Sequence, residues 1–424
     1  LTDMMLKIVT LLIFIACYGL AITRKAKLAY VGLASAAALV IILLPTNVLS
    51  TQQVLNSIKW DVLGIYWGFM MLSILFSESG VPKHLARHIL HNTRHEGMAL
   101  FALCGITAFL SAFLENVGVV LIMAPIAIEI SRRTKSSIVL YLVSIAISAN
   151  IVTTVTMIAD PPALILASEA NMSFLDFYWF QGRMGLGTIS AIAAVVGLAS
   201  LYLIHFRKMK TKIHMEEEKI ETSYIPTVIF IGGIVALAAN SYIGVGPGVI
   251  GLTVGVVSLI FGYKILSKMV KEFDWNSFLF IIGIFVVIGA VESAGILGDL
   301  ANGIGEISFN NPIISLIILI WLSVALSSFI DNVPYSVLMI PVAKSVAVSL
   351  GMGGMAYPLM YGVLIGTGIG GNITPVGATA NVFAIGLLEK QGVKVKLKDY
   401  LKISLAPTLL AVIFAHLMLQ LFWM

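Results

Sequence analysis

Two short stretches carry the residue types that can do chemistry here. SAFLENVGVVLIMAP (residues 111–125) and SSFIDNVPYSVLMIP (residues 327–341) each set a carboxylate beside an amide, Glu115-Asn116 and Asp331-Asn332, inside an otherwise apolar run. An uncompensated charge within a bilayer costs at least ~2.5–3.5 kcal/mol, so acids in such places are expected to bind a cation or to exchange a proton. Aligned without gaps, the stretches share Ser, Phe, Asn, Val, Met and Pro, with acid facing acid. One site built twice by an internal repeat is the simplest account.

Two later segments add oxygen ligands. NIVTTVTMIADPPALILAS (residues 150–168) breaks a helix with threonines, Asp160 and the pair Pro161-Pro162, which supply no backbone N–H. GTGIGGNITPVGATANVFAIG (residues 366–386) does the same with glycines, Asn372, Pro375 and Asn381. Unwound carbonyls can hold a cation, and the N-terminus of a half-helix offers N–H groups to an anion or a neutral oxygen.

Glu115, Asp331 and Asp160 can thus surround one cavity, where mutual repulsion favours a shared or exchanged proton. Asn116, Asn332, Thr154, Thr156, Asn372, Thr374 and Asn381 are the candidate oxygen ligands, with Asn116, Asn332 and Asn372 the positions for a sodium ion. Glu78, Glu292, Asn150 and Gly377 are expected to support them from behind. The alternative role of each acid is to cap the half-helix that follows it. No metal centre and no organic cofactor is expected, only a coupling sodium ion or proton.

What must position these residues is a membrane fold. The 424 residues are 59% hydrophobic and 11% charged, with a mean hydropathy of +1.01, which excludes a soluble globule. Apolar runs are continuous rather than alternating, which favours helices over a barrel. The run at residues 4–21 lacks a basic leader and reads as a first span. Cys17 and Cys104 sit in apolar segments as small core residues. The net charge of +5 is read as setting orientation, and no nucleic-acid partner is expected.

Repeat registers agree along the chain. At an offset of 215, Trp60, Gly68 and Gly80 fall on Trp275, Gly283 and Gly295; at 216 the acid stretches align; at 218 Thr156 falls on Thr374 and Ala163 on Asn381. The expected fold is an all-α polytopic membrane protein of two inverted repeats, each with five net crossings, a re-entrant helical hairpin and a broken helix. The first repeat takes residues 1–206, with scaffold spans in 1–80, a hairpin at 97–130, a broken helix at 138–170 and a span at 184–206. A cytoplasmic linker follows at 207–223. The second repeat takes 224–424, with a hairpin at 312–348, a broken helix at 357–389 and a last span at 400–424.

Charge tests the crossings. With the N-terminus on one side, that side keeps only Lys7, Lys59, Arg183 and Lys344, while the other receives the basic residues at 24–27, 83–94, 132–135, 207–219, 264–271 and 390–402, Arg24, Lys25 and Lys219 among them. The positive-inside rule makes the second side cytoplasmic and puts both termini outside a cytoplasmic membrane. His84, His88, His91 and His95 fall on one face of an interfacial helix, with Lys83, Arg87 and Arg94 at the lipid headgroups and Leu85 and Ile89 inserted.

FLENV, FIDNVP, TMIADPPALILAS, and GGNITPVGATANVFAIG followed by EKQG together resemble the arsenite permease and sodium/proton antiporter group (ArsB/NhaD) of the ion transporter superfamily, in the branch typified by the melanosomal P protein. The resemblance implies a scaffold domain, a transport domain with two hairpins and two broken helices, a homodimer and elevator-like alternating access. It implies a secondary active transporter, proton- or sodium-coupled, carrying a cation in exchange for protons, or arsenite or antimonite. Related dicarboxylate carriers have Ser-Asn-Thr at the hairpin tips, where this chain has Glu115-Asn116-Val117 and Asp331-Asn332-Val333. Sodium-coupled di- or tricarboxylate transport is therefore the alternative reading, and a passive ion channel is the alternative from another class. No enzyme signature is present. The partners are the lipid bilayer and a small ion or solute.

Overall fold

The computed structural model describes residues 2–23, 26–91, 93–213, 220–352 and 356–424, so Arg24, Lys25 and Lys219 of the charge count lie outside the described residues. Apolar runs without water must close their backbone hydrogen bonds internally, and the described residues are accordingly helical apart from turns and one small hairpin. The first half runs α1 (Thr2–Thr23), α2 (Leu28–Leu43), α3 (Thr51–Ser57), α4 (Trp60–Glu78), α5 (Val81–His91), α6 (Glu96–Ser111), α7 (Asn116–Thr134), α8 (Ile138–Asn150), α9 (Pro161–Glu169), the strands β1 (Trp179–Phe180) and β2 (Arg183–Met184), and α10 (Leu186–Leu201). The second runs α11 (Ile225–Ala238), α12 (Asn240–Ile243), α13 (Pro247–Phe261), α14 (Leu266–Glu272), α15 (Trp275–Ser293), α16 (Ile296–Ile307), α17 (Pro312–Ser327), α18 (Asn332–Ser349), α19 (Tyr357–Gly370), α20 (Thr379–Lys390) and α21 (Leu397–Trp423). Apart from α12 and the strands, the order of long, short and paired helices is the same in both halves.

Both acid stretches form hairpins. α6 turns into α7 through residues 112–115, and α17 into α18 through residues 328–331. Both breaks fall where the sequence places them. α8 stops at Asn150, and α9 restarts with Pro161 and Pro162 in its first turn, where a missing N–H costs nothing. α19 stops at Gly370 and α20 restarts at Thr379.

By length and composition, six helical segments among the described residues are each long and apolar enough to cross a membrane, Met4–Ala21, Leu28–Thr46, Thr51–Glu78, Leu186–Phe206, Trp275–Ser293 and Leu397–Trp423. Two bent pairs, α13 with Tyr263–Glu272 (83°) and α16 with α17 (111°), raise the number to eight. Of the expected crossings, α11 has 14 residues, and the broken helices consist of pieces of 13 and 9 (α8, α9) and 14 and 12 residues (α19, α20), each short of the ~20 that a continuous crossing needs. The helix α5, expected to insert Leu85 and Ile89 at the headgroups, packs one face against protein. Its Pro82, Ala86 and Leu90 are buried, and Arg87 reaches Glu129 of α7 at 2.6 Å.

Packing joins the halves reciprocally. α4 lies along α13, and α2 lies along α15, so each pair is the repeat counterpart of the other. Small residues permit the approach. A Cβ on Gly68 would run into the backbone of Gly251, and one on Gly283 into the backbone of Gly32. Gly68→Val is therefore expected to destabilise the detergent-purified protein by more than the ~1–3 kcal/mol usual for overpacking, because backbone must move, and so to lower its melting temperature. Gly232→Val, where an added Cβ meets nothing within 4 Å, should leave it unchanged. Equal melting of the two variants would contradict this packing.

Candidate functional site

Both hairpin turns and both breaks meet around one cavity of about 90 Å³, lined by Glu115, Asn116, Asn150, Asp160, Asp331 and Asn332 among others. It is far smaller than the ~300–1,000 Å³ typical of pockets for drug-sized ligands, and suits an ion or a few waters. No Lys, Arg or His is among the lining residues. The hairpin turns and breaks begin four helices at this cavity, α7, α9, α18 and α20, whose N-termini direct positive partial charge toward the acids, and α15 begins beside it with Asp274 and Ser277 in the lining.

Each acid stands at an N-cap. Glu115 accepts hydrogen bonds from the backbone N–H of Val117 (3.0 Å) and Gly118 (2.7 Å), while its own N–H donates to Ser73 Oγ on α4 (3.3 Å). Asp331 accepts from the N–H of Val333 (3.3 Å) and from the Thr379 hydroxyl (3.3 Å). Asp160 differs. Pro162 after it removes the second-position N–H donor that the other two acids use, and its side chain makes no cap hydrogen bond. Capping and facing the cavity are thus combined in Glu115 and Asp331, and the two roles proposed for the acids do not compete.

Behind the acids lies a chain of amides. Asn150, buried at the end of α8, donates through Nδ2 to Asn381 Oδ1 (2.8 Å) and Asn372 Oδ1 (3.1 Å), and its Oδ1 accepts from Asn116 Nδ2 (3.4 Å). Asn381 returns two bonds to the carbonyls of Gly371 and Thr374 (3.1 Å each). Ser111 donates to Asn116 Oδ1 (2.6 Å), and its repeat counterpart Ser327 donates to Asn332 Oδ1 (2.8 Å). Of the three amides expected to hold sodium, Asn116 and Asn332 line the cavity and their oxygens each accept one bond, whereas Asn372 is fully buried, is not among the lining residues and has its oxygen on Asn150.

Threonines join breaks to tips. Thr156 donates to the carbonyl of Ala112, and Thr374 to that of Ser328, so each break is tied to the hairpin turn of its own half. Gly377 permits the approach: an added Cβ would lie 2.5 Å from the carbonyl oxygen of Gly371 and 2.8 Å from those of Ser327 and Ser328. Thr154 instead bonds Ser190 Oγ on α10 (2.9 Å), away from the cavity. Glu78 is also elsewhere, in an ion pair with Lys268 (2.7 Å). Glu292 lines a different, larger cavity.

Several lining residues were not anticipated. Asp274 caps α15 through the N–H of Ser277 (3.0 Å), and both line the cavity with Tyr66 and Thr379. Asp274 precedes Trp275, whose repeat counterpart Trp60 follows Lys59; an unduplicated acid gives no repeat signal. Ser111 and Ser327 open the two duplicated stretches and were legible there. The amide chain generates a prediction. Asn150→Ala orphans two buried amide oxygens, at ~1–3 kcal/mol each, and should destabilise the protein well beyond Ser111→Ala, as read by thermal melting in detergent. Similar melting of the two variants would contradict the network.

The sequence pattern of the CitMHS family, described as citrate transporter, matches residues 18–366. An uncharacterized transporter of Mycobacterium bovis is 24% identical over 431 residues, covering 98% of both chains. The P protein of Mus musculus is 23% identical over 452 residues, covering 85% of this chain and 54% of its own length. Among solved structures, the YdaH transporter of Alcanivorax borkumensis superposes with a TM-score of 0.57 at 13% identity, covering 93% of this chain and 96% of the other. That likeness concerns the fold alone. The family match extends over most of the chain and contains both hairpin tips and the first break, so the chain belongs to the CitMHS citrate transporter family and is a membrane transporter, not an enzyme.

Proposed function

We propose that the chain is a secondary active transporter that couples protons or sodium ions to the movement of a small carboxylate anion. The observation that carries this reading is the acid-lined cavity at the convergence of four helix N-termini. Its carboxylates repel an anion only while they are empty. A proton or sodium ion on Glu115, Asp331 or Asp160 cancels that repulsion, and the N-terminal dipoles then favour the anion. Cation loading thereby becomes the condition for solute binding, which is coupling. The family match supports the carboxylate and gives arsenite and antimonite no support. A second reading, cation/proton exchange at the same acids in the ArsB/NhaD manner, is favoured by the small size of the cavity.

The same proposal divides the chain into inverted repeats at 1–206 and 224–424, joined at 207–223 on the cytoplasmic side, with both termini outside. The repeated order of elements and the reciprocal pairing of α4 with α13 and α2 with α15 support it. The hairpins and broken helices move as the transport unit in an elevator-like cycle within a homodimer.

Glu115→Gln and Asp331→Asn keep an acceptor oxygen for the cap while removing the charge. In proteoliposomes each is expected to cut cation-driven uptake at least ~10-fold, the equivalent of ~1.4 kcal/mol, with little change in melting. Full cation-driven uptake by both variants would refute the coupling role.

A further inference from the structure

A second cavity, of about 770 Å³, opens where the start of α4 meets the ends of α9 and α18. Its charged lining residues are Lys59, Lys344, Glu169 and Glu292. Glu169 stands between the lysines: Lys59 Nζ is 3.0 Å from its Oε1 and Lys344 Nζ 3.3 Å from its Oε2. Lys344 also donates to the Glu169 backbone carbonyl at 2.9 Å. Two ammonium groups on the two oxygens of one carboxylate form a carboxylate-binding arrangement, occupied by a residue of the chain itself. The Glu169 side chain is only 16% exposed, while those of Lys59 and Lys344 are 33% and 44% exposed, so the cations are reachable from the cavity.

The two cavities differ in charge: two lysines are balanced by Glu169 and Glu292 in the larger one, whereas the charged residues of the smaller one are all carboxylates. The inner one has acids and no basic side chain in its lining; the outer one has two lysines and room within the range usual for organic ligands. They share helices. Lys344 lies twelve residues beyond Asn332 on α18, and Glu169 eight beyond Pro161 on α9, or ~18 Å and ~12 Å along the helix axes. Two of the four basic residues that the charge count keeps on the outer side are these lysines.

We propose that Lys59 and Lys344 form a receiving site for di- or tricarboxylate anions, with Glu169 as the resident carboxylate that the incoming solute displaces. The exchange replaces charge-assisted bonds with bonds of the same kind. Glu169 offers one carboxylate to two lysines, whereas a dicarboxylate or tricarboxylate can offer one to each. Displacement also severs the Lys59–Glu169 pair that ties α4 to α9, freeing the broken helix from the neighbouring span. This inference rests on the reading of the chain as a carboxylate transporter.

Citrate and succinate binding to the full-length protein in detergent, measured by isothermal titration calorimetry with sulfate and chloride as competitors, tests it. Glu169→Gln should tighten citrate about tenfold by removing the resident competitor, and Lys59→Gln and Lys344→Gln should each weaken it about tenfold or more. Glu169→Ala provides a second removal of the carboxylate should the Gln variant fold poorly, and should also tighten binding. Unchanged or weaker binding in the Glu169 variants, retained affinity in both lysine variants, or equal competition by sulfate or chloride would overturn the site. If cation-driven citrate uptake persists while these variants leave binding unmoved, the vestibule site falls and the transport reading stands. If the wild-type protein neither binds nor takes up any carboxylate, both fall.

Discussion

Negative charge in an apolar interior is tolerated only where something already positive meets it, and helix N-termini supply that here. Glu115 is held by two backbone N–H groups and Asp331 by one together with a threonine hydroxyl. An N-terminus in mid-protein requires a helix that begins there. The hairpin turns and the breaks provide four such beginnings, and much of the remaining architecture brings those four ends to one place.

The frame is repeated, but the site on it is not symmetric. Ser111 with Asn116 and Ser327 with Asn332 repeat their bond, as Thr156 with Ala112 and Thr374 with Ser328 repeat theirs. Asn150 has no such twin: the register that puts Thr156 on Thr374 puts Gly368 in its place, while Asn372 and Asn381 take the places of Thr154 and Ala163. One amide therefore spans both halves rather than two amides each serving one. The charges differ as well: the inner cavity holds acids without a basic residue, and the outer one pairs two lysines with Glu169 and Glu292. A carrier of an anion driven by a cation needs both kinds of surface.

Local features were largely legible in the sequence. Hairpins expected at 97–130 and 312–348 correspond to α6–α7 and α17–α18, and breaks expected within 138–170 and 357–389 to α8–α9 and α19–α20, because Pro161, Pro162 and the glycines before Asn372 act on their own neighbourhood. Long-range pairing was not legible. Asn150 meets Asn381 across 231 positions, and Lys344 meets Glu169 across 175, with nothing local to announce either partner. Glu78 and Glu292 match in register but not in surroundings: one pairs with Lys268 and the other lines the outer cavity. The carboxylates at the tips pointed toward a cation as cargo, whereas the family match points toward an anion, and treating the acids as the seat of the coupling ion reconciles the two.

The most direct measurement is solute accumulation in proteoliposomes under an imposed proton or sodium gradient, with equal citrate on both sides at the start. Coupling at the tip acids predicts net citrate uptake against the gradient that develops, abolished by an ionophore that collapses the driving cation gradient. Citrate that only equilibrates, unaffected by any cation gradient or ionophore, would contradict it.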